Sequence, residues 1–202
     1  MIDARILPYV KRAVARPAQA LVNRDIRADQ ITLLGFAVGL LGVIAVASGF
    51  FALALFCLAV NRIADGLDGA VARLTAPTDR GAFLDIALDF MFYGLFPLGF
   101  AIHDPATNAL PAAVLIASFI GTGSSFLAFS IIAEKRGISS NAYPTKGIYY
   151  LGGLTEGFET IALFGAMCLF PSAFPFLAYG FAFLCAITTF TRWMAGWNMF
   201  KS

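Results

Sequence analysis

Four aspartates at helical spacing stand in a short stretch whose flanks are apolar. The stretch, DGLDGAVARLTAPTDRGAFLDIALD (residues 65–89), contains five of the chain's twelve acidic residues. Asp65 and Asp68 are three positions apart, and Asp85 and Asp89 are four apart, so each pair lies on one face of a helix. Carboxylates at this density can bind divalent cations, accept a proton or form ion pairs, and the neighbouring residues decide among these functions.

The link between the two pairs is short. Only seven residues separate Arg73 from Gly81, so the two helices are predicted to be antiparallel neighbours with both pairs facing one cleft. One alternative is that the acids are solvated loop residues or members of structural ion pairs, and we expect this for Asp79 beside Arg80. A charged side chain inside a membrane helix costs about 2.5–3.5 kcal/mol, so the other four would oppose insertion by about 10 kcal/mol if nothing compensated them.

Divalent metal compensates four carboxylates better than the nearby basic residues do. Arg62, Arg73 and Arg80 are too few to satisfy them. Oxygen-only ligands suit Mg²⁺ or Mn²⁺, and the stretch contains no His or Cys that would indicate zinc. We expect two divalent ions, because two ions can neutralise a diphosphate and activate an attacking oxygen.

Small residues beside the acids leave room for a ligand. Gly69, Ala72 and Gly81 give the cleft walls little bulk, and Arg73 can hold a phosphate through two parallel hydrogen bonds. This combination indicates a substrate that contains a pyrophosphate. A carboxylate that metal does not fully use can take the proton of an attacking hydroxyl.

The elements that position these residues are predicted to be membrane helices. The chain has 202 residues, of which 59% are hydrophobic and 13% charged, whereas soluble domains carry about 25% charged residues. Six apolar stretches are long enough to cross a hydrocarbon core of about 30 Å. We therefore predict an all-α fold, an integral membrane bundle of six transmembrane helices near residues 31–50, 52–73, 81–102, 109–133, 153–171 and 174–198.

Basic residues predict the orientation of this bundle. Lys and Arg occur before the first span and at alternate connections, which places both termini in the cytosol. The chain is expected to consist of a cytosolic juxtamembrane segment, residues 1–30, and one six-helix domain, residues 31–202. The first segment is predicted to form a short amphipathic surface helix, limited in length by Pro8 and Pro17, that lies on anionic lipid. Alternatively, its basic residues act only as topology signals.

The acidic stretch resembles the signature of the CDP-alcohol phosphatidyltransferase family, D-x-x-D-G-x-x-A-R followed after a short gap by G-x-x-x-D-x-x-x-D. The gap has seven residues here, where the family more often has eight. Every fixed position of the signature is filled, by Asp65, Asp68, Gly69, Ala72, Arg73, Gly81, Asp85 and Asp89.

The resemblance implies a six-helix, usually homodimeric enzyme that transfers a substituted phosphate from a CDP-linked donor to an alcohol and releases CMP. Asp65, Asp68 and Asp85 would be metal ligands, and Asp89 would be both metal-associated and the catalytic base. The residues implied to bind the cytidine diphosphate are Gly69, Ala72, Arg73 and Gly81, with Arg73 on its phosphate.

Basic residues near the C-terminal half point to the acceptor. Arg192 interrupts the sixth span, where an arginine needs an anion or a carboxylate partner. Relatives with phosphorylated acceptors hold that phosphate in this region, so the resemblance implies an acceptor site at Lys135, Arg136 and Arg192. Glycerol 3-phosphate is the first choice and inositol phosphate the second. Alternatively, Lys135 and Arg136 are topology charges and Arg192 snorkels or pairs with Glu134, in which case serine or inositol becomes possible.

A different class of function is an ion-coupled carrier, because acids within membrane helices also mark ion pathways. A carrier is expected to show paired halves or interrupted helices at corresponding positions, and this sequence shows neither. We therefore expect a phospholipid-biosynthesis enzyme of the bacterial inner membrane whose active site faces the cytosol. Its expected partners are a CDP-linked lipid such as CDP-diacylglycerol, a small alcohol, membrane lipids and a second copy of the chain, with no nucleic acid. Glu156 and Glu159 either bind an acceptor hydroxyl or cap the fifth span.

Overall fold

A computed structural model describes residues 3–138 and 153–201, and over these ranges the chain is all-helical, with no β-strand. The prediction of an all-α fold is confirmed. A 3₁₀ turn, Pro171–Ala173, precedes the last helix. The helices are α1 Asp3–Val22, α2 Ala28–Ala47, α3 Phe51–Leu74, α4 Asp79–His103, α5 Pro105–Lys135, α6 Gly157–Leu169 and α7 Phe174–Met199.

Within the described ranges, four helical segments are long and apolar enough to cross a membrane: α2, α4, α5, and the 3₁₀ turn together with α7. The helix α3 has 24 residues, a length of about 36 Å, but its charged residues lower its hydropathy. The helix α6 has only 13 residues and is about 20 Å long, shorter than the predicted fifth span, because Glu156 caps its start and Pro171 follows its end. The six-span arrangement therefore stays a prediction.

An aromatic core joins α4 to α6 and α7. Phe96 stacks on Phe164 with ring centroids 4.5 Å apart, and Phe100 stacks on Phe174 at the same distance. All four side chains are fully buried. Large aromatic residues thus fill the half of the bundle that lies away from the acidic stretch, and they fix α4 in place against its neighbours.

A close approach between α2 and α3 supports the acidic half. A Cβ atom added at Gly35 would lie 2.6 Å from the Cβ of Ala64, and one at Gly39 would lie 3.0 Å from the ring of Phe92. Only glycine fits at such distances. The small residues bring the backbone of α2 against the helix that carries Asp65 and Asp68.

The first helix is longer than predicted. It has 20 residues and continues through Pro8 and Pro17, so the expectation that these prolines limit its length is wrong. Proline removes one backbone hydrogen bond from a helix, and packing offsets that loss: Ala18 is fully buried in a small apolar cluster with Ile31, Ala70 and Val71. Its proposed contact with anionic lipid remains a prediction.

Candidate active site

Three carboxylates of α3 and α4 meet where the two helices join. One oxygen each from Asp65, Asp68 and Asp85 lies within 4.8 Å of the other two. The short connection ends at Thr78, whose Oγ1 accepts a hydrogen bond of 3.0 Å from the backbone N–H of Gly81 and so caps α4. Along their lengths α3 and α4 each pack against α2 rather than against each other, so the predicted pairing of α3 with α4 is wrong, because α2 lies beside both. Three of the four predicted metal ligands nevertheless come together near the short connection.

The Asp68 carboxylate is the most firmly held of the three. Only 6% of the residue is exposed. Its Oδ2 accepts a hydrogen bond of 2.6 Å from the Thr32 hydroxyl, and its Oδ1 accepts one from the backbone N–H of Gly69. Because both oxygens are fixed by donors on two different helices, the carboxylate is preorganised for a ligand.

Asp89 lies apart from the cluster formed by Asp65, Asp68 and Asp85. Its Oδ1 accepts a hydrogen bond of 3.0 Å from Nη2 of Arg62, and Nη1 of the same guanidinium is 3.8 Å from Asp65. The cluster does not include Asp89 in this arrangement. The sequence identified Arg62 only as a nearby cation, but the structure places it between the two carboxylates.

All four aspartates open into one pocket between α2, α3 and α4. Its walls combine carboxylates with apolar side chains, so a charged ligand would contact the carboxylate oxygens on one side and apolar side chains on the other. The lining residues are Thr32, Gly35, Phe36, Asn61, Arg62, Asp65, Asp68, Asp85, Leu88, Asp89 and Phe92.

The start of α2 contributes two polar residues that the sequence left without a role. Thr32 holds Asp68, and Asp29 accepts hydrogen bonds from the Arg80 guanidinium. Arg80 thus pairs with Asp29, because α2 packs beside the start of α4 and presents a carboxylate there. Asp79 is exposed, in agreement with the expectation of a solvated acid. The sequence feature that indicates these contacts is ADQIT (residues 28–32), in which the polar residues Asp29 and Thr32 are three positions apart at the start of a membrane span.

The predicted donor-binding residues lie near the end of α3 and the start of α4, which are predicted to face the cytosol. Arg73 is exposed, and its Nη1 is 3.2 Å from where a Cβ at Gly69 would stand. A Cβ at Gly81 would lie 3.2 Å from Oδ1 of Asp29 and the same distance from the Thr78 hydroxyl. The two glycines thus allow close contacts, Gly69 with Arg73 and Gly81 with Asp29 and Thr78, and the described residues that line the pocket include none of the four predicted donor-binding residues.

The three predicted acceptor residues do not form one cluster. Lys135 and Arg136 are exposed at the end of α5, where Arg136 donates to the carbonyl oxygen of Phe200 at 3.0 Å. Arg192 is 7% exposed and donates to the carbonyl oxygen of Thr122 at 3.0 Å. Because residues 192 and 200 are about 12 Å apart along the helix axis, one phosphate cannot contact both guanidiniums here.

Burial also decides the alternative for Arg192. Its guanidinium lies over the ring of Phe126 with 5.5 Å from Cζ to the centroid, inside the bundle. Snorkelling to the interface, one form of the alternative, is therefore wrong.

Glu156 and Glu159 act as a helix cap. Oε2 of Glu159 accepts a hydrogen bond of 3.1 Å from the backbone N–H of Glu156, the residue before α6. Oε1 of Glu156 accepts one of 2.9 Å from the N–H of Gly153. Glu156 is 6% exposed, and its Oε2 has no hydrogen-bond partner among the described residues. The capping interpretation holds.

The fold and the site define an all-helical membrane protein with a carboxylate-lined pocket built from its second, third and fourth helices. The family model for CDP-alcohol phosphatidyltransferase matches residues 26–197, and the chain belongs to this family of enzymes. The resemblance inferred from the signature is confirmed.

Relatives and solved structures agree with this assignment. The chain is 48% identical to the inner membrane protein YnjF of Escherichia coli, over all of this chain and 98% of that protein. It is 36% identical to an archaetidylinositol phosphate synthase of Pyrococcus horikoshii over 43% of this chain and 46% of that protein.

Two crystal structures of Mycobacterium tuberculosis phosphatidylinositol phosphate synthase share the fold. The form with CDP-DAG bound has a TM-score of 0.72 at 21% identity and covers 92% of this chain and 94% of that chain. The form in complex with manganese and citrate has a TM-score of 0.71 at 20% identity, covering 91% and 88%.

Proposed function

We propose that this enzyme transfers a phosphatidyl group from a CDP-linked lipid, CDP-diacylglycerol, to an alcohol that carries a phosphate, and releases CMP. The observation that carries the proposal is the pocket in which the Asp65, Asp68 and Asp85 oxygens converge within 4.8 Å beside Asp89. Structures of the same fold hold CDP-DAG or manganese, which supports this donor and a divalent ion.

The donor set fits a hard divalent cation. Three carboxylate oxygens within 4.8 Å of one another match the ligands of Mg²⁺ or Mn²⁺, and Asp65, Asp68 and Asp85 would hold such an ion. When bound, divalent ions would neutralise the diphosphate charge and favour its cleavage. Thr32 keeps Asp68 oriented toward the centre through its hydrogen bond of 2.6 Å.

The chain's other residues then have separate tasks. The acceptor oxygen attacks the lipid-side phosphorus of the donor, the phosphoanhydride bond breaks, and CMP leaves. Asp89 takes the proton of the acceptor hydroxyl. Arg73, exposed at the mouth of the cleft, would hold a donor phosphate, and Gly69, Ala72 and Gly81 would let the cytidine diphosphate approach the helix backbones.

Arg192 is at the right depth to hold the phosphate of an acceptor. It bonds the carbonyl of Thr122 at 3.0 Å, and the next residue, Gly123, lies against the ring of Phe90. Phe90 adjoins Asp89 in sequence, so these contacts through α5 connect Arg192 with the helix that carries the base. We assign the acceptor phosphate to Arg192 and give Lys135 and Arg136 the lesser function of attracting anions at the surface.

Among phosphorylated alcohols, we now place inositol phosphate before glycerol 3-phosphate. Two relatives at 36% and 37% identity over nearly half of this chain are archaetidylinositol phosphate synthases.

The proposal is tested by measuring CMP release from CDP-diacylglycerol by the purified protein, with and without Mg²⁺ or Mn²⁺. Each acceptor is supplied separately: inositol phosphate, glycerol 3-phosphate, inositol and serine. We expect metal-dependent CMP release that requires a phosphorylated acceptor and is fastest with inositol phosphate. Release that is fastest with an uncharged alcohol would refute the acceptor, and absence of release with all four would refute the function.

The proposal also places the enzyme in a bacterial inner membrane as a homodimer, with the pocket open to the cytosol. The relative YnjF is named as an inner membrane protein. Four segments of the described structure can cross a membrane. The cytosolic orientation rests on the positions of the basic residues.

A further inference from the structure

Arg62 stands where a second cation belongs in a site of four carboxylates. Its Nη2 is 3.0 Å from Oδ1 of Asp89, and its Nη1 is 3.8 Å from Oδ2 of Asp65. Asp65 also belongs to the cluster with Asp68 and Asp85. The Asp65 carboxylate therefore contacts Arg62 and also belongs to the cluster with Asp68 and Asp85, in the way that one carboxylate can bridge two cations.

The stem of Arg62 is held by contacts that do not involve carboxylates. Its Nε donates to Oδ1 of Asn61 at 2.8 Å, and Nδ2 of Asn61 donates to the carbonyl of Gly35 at 2.9 Å. The guanidinium also lies over the ring of Phe92, 5.4 Å from its centroid. Asn61 is only 4% exposed, so its amide cannot turn away to solvent. These contacts place the guanidinium inside the pocket, next to both carboxylates.

We propose that Arg62 occupies the position of the second divalent cation, and that it moves off Asp89 when that cation binds. The inference rests on the proposed function for the presence of ions, and it adds an order of binding. Asp65, Asp68 and Asp85 would hold the first ion, and of this cluster Arg62 contacts Asp65. The second ion must compete with a guanidinium for Asp65 and Asp89.

The displacement of Arg62 also controls the base. Nη2 of Arg62 occupies Oδ1 of Asp89 at 3.0 Å, so an acceptor hydroxyl can approach that oxygen only when the guanidinium moves away. Access of the acceptor to Asp89 therefore depends on the displacement of Arg62. Arg62 is a positioning residue in this scheme, because it acts through Asp89 and not on the substrate.

Mn²⁺ binding to the full-length protein in detergent tests the proposal. Mn²⁺ is titrated into metal-free protein and the unbound ion is followed by its electron paramagnetic resonance signal. The variants are Arg62→Gln and Arg62→Lys. Arg80→Gln is the matched control, because it removes the same charge from a guanidinium that bonds Asp29 outside the pocket.

For the wild type we expect one tight and one weak Mn²⁺ site. In Arg62→Gln the weak site should tighten by about tenfold or more, because a competing cation has been removed from its carboxylates. The tight site should change by less than about threefold, since its other ligands are untouched. Arg62→Lys should tighten the weak site by about threefold, because an ammonium lacks the fork that bonds Asn61 and Asp89 together. The control should match the wild type.

An unchanged or lost weak site in Arg62→Gln would overturn the proposal, since a merely structural arginine gives no tighter binding of an ion. If thermal melting shows that Arg62→Gln does not fold, Arg62→Lys carries the test, and an unchanged weak site there has the same meaning. CMP release by the wild type is recorded in the same titration. Normal release with unaltered isotherms rejects only the inference, whereas shifted isotherms without release from any acceptor reject only the proposed function. Absence of Mn²⁺ binding rejects both.

Discussion

The hydroxyl of Thr32 orients Asp68 toward the metal centre, and Thr32→Val should show how much that orientation is worth. Valine keeps the shape of the side chain and removes only its donor. The lost bond is short, 2.6 Å, and ends on a carboxylate that is 6% exposed. A hydrogen bond to a charged group contributes about 1.5–3 kcal/mol, which corresponds to a factor of about ten to one hundred in the affinity of the tight Mn²⁺ site.

Thr75→Val is the matched control for this change. Both threonines lie near the carbonyl oxygen four residues earlier, Thr32 at 3.1 Å from that of Ala28 and Thr75 at 2.9 Å from that of Val71. Of these two threonine hydroxyls, the one on Thr32 also reaches a carboxylate of the cluster. The control therefore removes the common helical hydrogen bond without touching the site.

The assay is again Mn²⁺ titration, with thermal melting measured in parallel. We expect Thr32→Val to weaken the tight site by about ten- to one-hundredfold while Thr75→Val stays close to the wild type, and the two variants to melt at similar temperatures. If the Mn²⁺ affinities of the two variants agreed within about twofold, the hydroxyl would not orient the ligand and the reasoning would be refuted.

Three further tests concern the base Asp89, the acceptor-binding residue Arg192 and the orientation of the protein in the membrane. Asp89→Asn should lower kcat by about a hundredfold or more while donor binding changes little, because an amide cannot take the proton; an equal loss in both quantities would contradict the base assignment. Arg192→Gln should raise the acceptor KM by about tenfold or more and leave the donor KM unchanged, whereas Arg136→Gln at the surface should have a smaller effect; equal effects would return the acceptor to the end of α5. On a cysteine-free background, a membrane-impermeant thiol reagent applied from outside should label Ala106→Cys and not Lys201→Cys, and the opposite pattern would reverse the orientation.

The sequence predicted the cluster on α3 and α4 because two local features determine it. Spacings of three and four residues place each pair on one helix face, and the seven residues between Arg73 and Gly81 keep the acidic ends of the two helices close together. The meeting of Asp65, Asp68 and Asp85 follows from these features, whereas the packing of α2 against both helices does not.

The contribution of α2 could not be read in the same way. Thr32 and Asp68 are 36 residues apart, and Asp29 and Arg80 are 51 apart, so their contacts exist only after three helices pack together. The ion pair of Arg62 with Asp89 has the same origin, because it joins two helices at a depth that spacing does not specify. Helix lengths were wrong where packing or capping decided them, as in α1 with Pro17 and in α6.

The aromatic half of the bundle has a consequence for the membrane itself. Phe92 forms part of the pocket floor and is 1% exposed. It begins a continuous run of rings, with Phe92 to Phe96 at 5.5 Å and Phe96 to Phe164 at 4.5 Å. Carboxylates inside a bilayer can open a path along which protons and cations leak. This run of rings fills the bundle next to the pocket with apolar side chains, so we expect ions and the released proton to leave through the opening by which the substrates enter. The enzyme can then keep a highly charged pocket without making the membrane permeable to ions.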